Sequence, residues 1–197
     1  SAWHNVPIGT KENGMAGMDT EFQVNSPLHV RHVARLGDMA KKGLLTYAGR
    51  RNQGEAKFAS GVCAMLTSST GDQANIRHTA TIDWPQNSII GGASLWVMGG
   101  KTNNAYKGVA KFFAFLSQPE IQMEWHIGTG YVPITAAAYE LTRKSGFYDK
   151  NPGADVAVKQ LMNKPPTANS KGLRFGNYVQ GREVIEEEME AVIMGKK

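Results

Sequence analysis

The sequence predicts an α/β fold, in which helices cover a sheet of largely parallel strands. Two near-continuous apolar runs, at 62–67 and within 87–98, have the pattern of strands that are buried on both faces. The segments around these runs carry apolar residues at helical spacing. At 197 residues and 41% hydrophobic content, the chain can form one domain with a substantial core or two small lobes. Strands that alternate with amphipathic helices are typical of such layered folds.

The first predicted elements are a short strand and a helix that follow a loop. Residues 1–18 indicate a loop because glycine and proline recur there, and 21–24 alternate as a strand does. Ser26 and Pro27 predict a helix start, since a serine N-cap and a proline in the first turn both favour one. Gly43 ends this helix.

The helix carries one apolar face, formed by Leu28, His32, Leu36 and Met39. Because His32 lies within that face, we expect it to be a core histidine with a polar partner. His29 is three residues away, and the two rings could in principle share a metal ion. No acidic or cysteine ligand nearby completes such a site, so we expect no metal.

The apolar run at 62–67 leads into a loop that suits an anion. A short helix over 55–60, ended by Gly61, precedes the run, and another helix is predicted over 72–78. Ser69 lies in the connection, where unpaired N–H groups and the positive end of the helix dipole favour negative charge. Capping of the helix by a hydroxyl is the plainer alternative, and both can occur on one loop.

The stretch 87–98 combines a predicted strand with features of a ligand site. Gly91 and Gly92 interrupt it, which marks a bulge or a close approach to the backbone. Ser94 and Trp96 follow at alternating positions and therefore face the same side. Bare backbone, a hydroxyl and an aromatic ring suit a small polyol or phosphate ligand. The residues alone nevertheless favour a bulged core strand with a buried tryptophan.

Four helices are predicted in the second half of the chain. The first follows Asn104, and the second begins at a capping box over 117–120. The third spans 136–144, and the fourth spans roughly 180–194. A turn and an extended piece over 128–134 separate the second helix from the third.

Tyr131 and Arg182 are candidate binding residues. Tyr131 follows Gly128 and Gly130, so its phenol can project into a cleft. Arg182 lies in the first turn of the predicted last helix, and its guanidinium is a fixed fork that matches pairs of phosphate oxygens. Judged alone, a packing tyrosine and a surface arginine are the better interpretations.

Charge and motifs argue against several classes of function. The net charge is +5, but the basic residues form short pairs without interleaved aromatics, which argues against a nucleic-acid surface. The single cysteine, Cys63, excludes an internal disulfide and a multi-cysteine metal site. No Gly-x-Ser-x-Gly, His-Glu-x-x-His or phosphate-loop motif supports an enzyme. The first residues lack a basic start and an apolar block, so no signal peptide is predicted.

Several long strings of residues resemble a known family. They include Asn-Ser-Ile-Ile-Gly-Gly-Ala-Ser-Leu-Trp-Val-Met up to Met98, Thr-Gly-Tyr-Val-Pro-Ile-Thr up to Thr135, and Lys-Gly-Leu-Arg-Phe-Gly-Asn up to Asn177. These strings resemble the glycerol-3-phosphate-binding members of the extracellular solute-binding proteins of bacterial ABC importers. The likeness covers nearly the whole chain.

The resemblance implies a finer fold class. The chain is similar to the C-terminal α/β lobe of a two-lobed periplasmic-binding-protein fold, type II and maltose-binding-protein-like, which closes on its ligand. It implies one lobe over 1–197, together with hinge-adjacent segments. Compared with the family, the N-terminal lobe is absent and the segment near 79–85 is short.

The resemblance also implies a set of ligand contacts. Carried over residue by residue, they would be Ser69, Gly92, Tyr131 and Arg182, with Trp96 and Ser94 as possible supports. Arg182, the Ser69 hydroxyl and the Gly92 backbone would bind oxygens of the phosphoglycerol. Tyr131 would donate its hydroxyl or cover the carbon chain. No catalytic residue, metal or cofactor is implied.

The implied function is that of a substrate-binding component of an importer. Such a protein would be periplasmic and monomeric, would capture sn-glycerol 3-phosphate, and would deliver it to permease subunits in the membrane. A receptor for glycerophosphodiesters such as glycerophosphocholine, or for an oligosaccharide, is an alternative. From other classes, a phosphate-ester enzyme with the same pocket and a stand-alone interaction module stay open.

Overall fold

The computed structural model describes residues 1–50, 53–70 and 89–197. These residues form a short 3-10 helix, η1, and helical segments α1 to α9, of which α1 is a single left-handed turn with positive φ at Lys11, Glu12 and Asn13. In chain order the bounds from η1 to α9 are Ala2–His4, Thr10–Asn13, Pro27–Lys41, Glu55–Ala59, Asn103–Leu116, Pro119–Thr129, Ala136–Lys144, Phe147–Lys150, Val156–Leu161 and Tyr178–Ile193. The helix predicted over 72–78 and the short segment near 79–85 lie outside the described residues.

Helices, and not a layered sheet, dominate the described part of the chain. Its β pairing is one isolated antiparallel bridge between Gly9 and Phe22, so the strand predicted over 21–24 is reduced to one paired residue. The two apolar strands are also wrong, because 62–67 and 89–98 are irregular. An apolar run forms a strand only where another segment pairs with its N–H and C=O groups, and no described segment does so here.

Large apolar side chains on these two irregular segments are exposed. Met65 is 85% exposed and Trp96 is 88% exposed. The bulged core strand with a buried tryptophan is therefore not formed. Across 1–50, 53–70 and 89–197, the two central strands of the predicted α/β layering are not formed, because they lack partners there.

The chain divides into two compact units. Within the described residues, the first unit contains 1–50, 53–68, 89–90 and 163–197, and with them α1, α2, α3 and α9. The second contains 69–70 and 91–162, with α4 to α8. Among the described helices, none has the length and apolar character that crossing a bilayer requires.

In the first unit, α2 packs against α9. The predicted start of α2 is confirmed, since Ser26 Oγ accepts a hydrogen bond from the His29 amide and Pro27 occupies the first turn. A β-carbon added to Gly37 would lie 3.2 Å from Val192 Cγ1. The two helices therefore approach each other closely at this glycine.

The apolar face predicted for α2 is covered in part, since Leu28, Leu36 and Met39 are half-buried. His32 is exposed, so the expected core histidine is wrong. Val33, Gly37 and Ala40 are covered as well. The histidine with polar partners is His29, whose Nδ1 lies 3.0 Å from Ser26 Oγ and whose Nε2 lies 3.2 Å from Ser1 Oγ. Burial lowers the pKa of His29.

Asn13 joins distant parts of the first unit. It lies at the end of α1 in the left-handed conformation, with φ 57°, and its side chain is fully buried. Its Oδ1 accepts hydrogen bonds from the amides of Ile8 at 2.8 Å and Gly9 at 3.0 Å. Its backbone carbonyl accepts a bond from the Arg174 amide at 2.9 Å. Asn13 thus links the N-terminal loop to the segment that precedes α9.

An aromatic stack lies beside this link. The rings of Phe22 and Phe175 are stacked with centroids 4.4 Å apart, and Phe175 is buried. A β-carbon added to Gly181 of α9 would lie 2.6 Å from the Phe22 ring. The stack therefore packs directly against the beginning of α9.

The second unit is built around α5 and α6. Helix α5 packs against α4 and α6, and α6 packs against α7. Ala138 and Thr142 of α6 are fully buried, and Gln122 and His126 of α5 are buried beside them in the same unit. The helix predicted over 136–144 is confirmed at both ends.

The start of α5 corrects another prediction. The capping box at 117–120 is wrong, because Gln118 is the N-cap and makes no side-chain cap bond. Ser117 Oγ instead donates to the Phe113 carbonyl at 2.7 Å, back into α4. Pro119 sets the start of α5, since its fixed φ suits the first helical position and its missing N–H costs nothing there.

Candidate functional site

Gly92 and Tyr131, two of the predicted ligand contacts, lie against each other in the second unit. A β-carbon built on Gly92 would be 3.7 Å from Tyr131 Cε1, so the phenol ring lies beside bare backbone. Gly92 has φ 135°, a conformation that residues with a β-carbon rarely adopt. Tyr131 is 42% exposed. An accessible peptide group and a phenol are thus available together to a small polar ligand.

Ser94 and Trp96 lie on the same side of the chain, as predicted. The indole Nε1 of Trp96 donates a hydrogen bond to Ser94 Oγ at 3.1 Å. Both residues are exposed, which leaves the indole face open to solvent. The two residues therefore form a short, accessible aromatic and hydroxyl pair two positions beyond Gly92.

The end of α5 positions Tyr131. Gly130 ends the helix in the left-handed conformation, with φ 75°, and its amide bonds to the His126 carbonyl at 2.9 Å. The Tyr131 amide donates to Thr129 Oγ1 at 3.3 Å, and that hydroxyl donates to the Trp125 carbonyl at 2.6 Å. The chain thus leaves the helix along a defined turn at Tyr131.

The buried His126 side chain holds the backbone of Tyr131 in place through a hydrogen bond. Its Nδ1 lies 2.6 Å from the Tyr131 carbonyl oxygen, and its Nε2 lies 3.0 Å from the Tyr148 hydroxyl. A carbonyl only accepts, so Nδ1 carries the proton, and Nε2 accepts from the phenol. Burial lowers the pKa of His126 and raises the pKa of Tyr148 to about 12, so this neutral arrangement holds at neutral pH.

Gln122 anchors the other end of the same segment. Its Nε2 donates to the Ser117 carbonyl at 2.9 Å, and its Oε1 accepts from the Thr135 hydroxyl at 2.9 Å. Thr135 is also the N-cap of α6, where its hydroxyl accepts from the Ala138 amide. Polar side chains of α5 therefore bind both ends of the stretch from Tyr131 to Thr135.

Sequence reasoning missed His126 and Gln122. A usable signal was present, because Gln122 and His126 are spaced by one helical turn and place two polar groups on the side of α5 that faces the core. Buried polar groups need partners, and loop carbonyls and hydroxyls supply them here.

The remaining predicted contacts, Ser69 and Arg182, belong to different units. Arg182 lies near the start of α9 in the first unit, is exposed, and has its Nε 3.1 Å from Glu186 Oε1. Ser69 belongs to the second unit together with Gly92 and Tyr131. The described geometry brings Gly92 and Tyr131 into contact, and the convergence of Ser69 and Arg182 with them stays a prediction.

Metal-binding side chains do not cluster in the described ranges. No group of three or more histidine, cysteine or acidic residues is arranged there to hold an ion. The two histidines that could share a metal ion, His29 and His32, have different surroundings. His29 bonds to serine hydroxyls, and His32 faces solvent.

Comparison with known proteins adds a family assignment. Residues 1–156 match the family model described as bacterial extracellular solute-binding protein. The chain is 54% identical to a protein of Yersinia enterocolitica, 53% identical to one of Pectobacterium atrosepticum and 51% identical to one of Salmonella typhimurium. Each carries the name sn-glycerol-3-phosphate-binding periplasmic protein UgpB.

These relatives are longer than this chain. Each alignment covers 100% of the chain but 48% of the relative, so the chain spans about half the length of the curated relatives it matches. The aligned stretch of 211 residues also exceeds the 197 residues of the chain. The relatives therefore carry residues within this stretch that the chain lacks.

Proposed function

Because the chain belongs to the bacterial extracellular solute-binding protein family, we propose that it is part of a receptor for sn-glycerol 3-phosphate. The observation that carries this proposal is the match over the full chain to relatives named for that ligand, at 51–54% identity. The receptor would work in the periplasm, bind the ester without converting it, and pass it to the permease subunits of an ABC importer.

The proposed fold follows from the same family. Solute-binding proteins of this kind suggest a two-lobed architecture with the ligand between the lobes, and we propose that this chain contributes the C-terminal α/β lobe. The alignment, which is longer than the chain, supports an internal segment shorter than that of the relatives. We place this difference near 79–85.

Each proposed contact has a chemical role. Arg182 would bind two phosphate oxygens through its guanidinium, with the Ser69 hydroxyl as a further donor. The Gly92 backbone and the Tyr131 hydroxyl would bind the glycerol part. The ion pair between Arg182 and Glu186 does not prevent this, because exposed pairs contribute only about 0–1 kcal/mol and a phosphate dianion competes well for the same cation.

The expected affinity of this chain is modest. Micromolar binding needs about 8 kcal/mol and millimolar binding about 4 kcal/mol. A hydrogen bond to a charged group contributes roughly 1.5–3 kcal/mol, so two such bonds to the phosphate give binding in the millimolar range. Tighter binding requires a ligand that is enclosed on nearly all sides.

The test is a titration of the 197-residue chain with sn-glycerol 3-phosphate, in which phosphorus NMR monitors binding. Wild-type protein should bind saturably in the millimolar range, and Arg182→Ala should bind about tenfold more weakly. Arg143→Ala is the matched control, because Arg143 is also exposed and paired with a neighbouring carboxylate, Glu140, at 2.7 Å. It should bind within about twofold of wild type.

Four results would contradict the proposal. Equal binding by Arg182→Ala and Arg143→Ala would remove Arg182 from the site. Tighter binding of glycerophosphocholine or an oligosaccharide would reassign the ligand. Release of inorganic phosphate during the titration would identify an enzyme, and no saturable binding of any of these ligands up to about 10 mM would refute the receptor assignment for this chain.

A further inference from the structure

A buried polar side chain supports the exposed candidate contact of the second unit. His126 is 3% exposed, whereas Tyr131, whose carbonyl it binds, is 42% exposed. An imidazole is costly to bury unless both ring nitrogens find partners, and an apolar side chain would fill the same space without that cost. The presence of histidine here therefore needs a reason other than packing.

The hydrogen bonds of His126 point to that reason. The Nδ1–H group binds a carbonyl that follows the left-handed Gly130, where the chain has just left α5 and the helix supplies no further donor. The acceptor side of the ring is held by Tyr148 of α7. The imidazole thus connects the packed helices to the peptide group that directly follows the Tyr131 side chain.

We propose that His126 is a positioning residue, which holds the Tyr131 phenol against Gly92 and thereby sets the affinity of the ligand site. This inference rests on the proposed function for its effect on affinity, but the positioning itself is independent of any ligand. His126 does not contact the ligand; it acts through the Tyr131 carbonyl.

Three variants distinguish a positioning role of His126 from a packing role. His126→Leu keeps a side chain of useful volume but removes the donor. His126→Asn is the conservative variant, since its side-chain amide places a donor near the position of Nδ1. Tyr148→Phe is the matched control, because it removes the partner of Nε2 and leaves the bond to the Tyr131 carbonyl intact.

The first readout needs no ligand. Proton NMR of wild-type protein should give nuclear Overhauser effects between the Tyr131 ring and the Gly92 α-protons, as their contact requires. These signals should persist in His126→Asn and Tyr148→Phe and be lost in His126→Leu. Nitrogen NMR of labelled histidine should identify the neutral form of His126 with the proton on Nδ1.

The second readout is the affinity for sn-glycerol 3-phosphate, measured by the phosphorus NMR titration. His126→Leu should bind about five- to tenfold more weakly, and His126→Asn and Tyr148→Phe within about threefold of wild type. Far-UV circular dichroism establishes that each variant is folded. If His126→Leu does not fold, the tautomer and the rescue by His126→Asn still decide the matter.

The two proposals fail in different ways. A proton on Nε2, or ring contacts unchanged in His126→Leu, would overturn the positioning role whatever the ligand does. Wild-type binding that is unchanged in His126→Leu would overturn the link to affinity alone. Intact ring contacts with no binding by wild type would instead count against the receptor function.

Discussion

Asn13→Ala tests the link that closes the first unit. The side chain is fully buried and its Oδ1 is the acceptor for two amides, those of Ile8 and Gly9. Alanine removes that acceptor and leaves both donors without it. The substitution also places a β-carbon without a stabilising amide at a left-handed position, with φ 57°.

The expected loss of stability is about 3–4 kcal/mol. An unsatisfied buried donor costs about 1–3 kcal/mol, and entry of water into the vacated space reduces the sum for the two donors to roughly 2–3 kcal/mol. The left-handed backbone adds about 1 kcal/mol for alanine relative to asparagine. With an m-value of about 2 kcal/mol per molar urea, the midpoint should fall by about 1.5–2 M.

Asn5→Ala is the matched control. Asn5 has nearly the same backbone conformation, with φ 50°, but it is exposed, and its Oδ1 accepts a bond from Asn169. The free energy of unfolding of Asn5→Ala should fall by about 1 kcal/mol, mostly because alanine is less stable than asparagine in the left-handed conformation. Urea denaturation followed by circular dichroism measures both variants, and hydrogen exchange of the Ile8 and Gly9 amides should accelerate in Asn13→Ala alone.

Equal losses for the two variants would refute this reasoning. They would mean that the left-handed backbone, and not the buried hydrogen bonds, determines the cost at Asn13. Unchanged exchange at Ile8 and Gly9 in Asn13→Ala would contradict it as well, because those amides would then owe their protection to another group.

Three further predictions concern glycines and pH. Gly92→Ala should weaken ligand binding about tenfold, because φ 135° strains alanine, while Gly91→Ala, with open space around its β-carbon, should bind like wild type in the same titration. The unfolding free energy should decrease as the pH falls below 6.5, the ordinary pKa of histidine, because the unfolded chain then binds protons that buried His126 with its lowered pKa does not. Urea titrations of His126→Asn should give a shallower decrease. Gly108→Ala, at an exposed position of α4, should raise the free energy of unfolding by about 0.5–1 kcal/mol. Gly37→Ala should raise it by less, because the added β-carbon meets Val192.

Each of these predictions has an outcome that contradicts it. Similar binding by the two alanine variants at positions 91 and 92 would deny a backbone role for Gly92. A pH dependence that is the same with and without His126 would assign it to His29, whose pKa is also lowered by burial. An equal gain at Gly37 and Gly108 would show that α2 and α9 are not tightly packed at that glycine.

Local signals predicted the helices well. Ser26 with Pro27 predicts the start of α2, and the structure confirms this cap. The predicted bounds of α6 are confirmed as well, and the structure adds Thr135 as its N-cap. Where another local preference is stronger, the helix begins at a different residue from the one predicted. Pro119 displaced the expected cap at Ser117, and α9 begins at Tyr178 after a left-handed Asn177, two residues before the predicted start.

The strands could not be predicted in the same way, because strand formation depends on partners elsewhere in the chain. The run at 62–67 has the composition of a buried strand, yet within the described residues no segment pairs with it. A helix satisfies its own backbone hydrogen bonds, whereas a strand does not, so composition alone overestimates sheet.

The candidate site was predictable in part for a related reason. Gly92 and Tyr131 each follow a glycine signal that is visible in the sequence, and the structure brings them into contact, while their common role in ligand binding stays a prediction. His126 acts through a carbonyl five residues later, and no motif marks such a bond. Arg182 belongs to the other unit, so its relation to Tyr131 depends on more than local chain geometry.

The order in which the two units can form follows from the bonds around Asn169. This residue bonds to Asn5, 164 positions away, and to Asn13, 156 positions away, while α4 to α8 all lie between residues 103 and 161. Closing a loop of that length costs about 4–5 kcal/mol of chain entropy. On the ribosome, the nascent second unit is complete before the residues that close the first have been synthesised. The first unit should therefore be the slower to mature and the more exposed to misfolding.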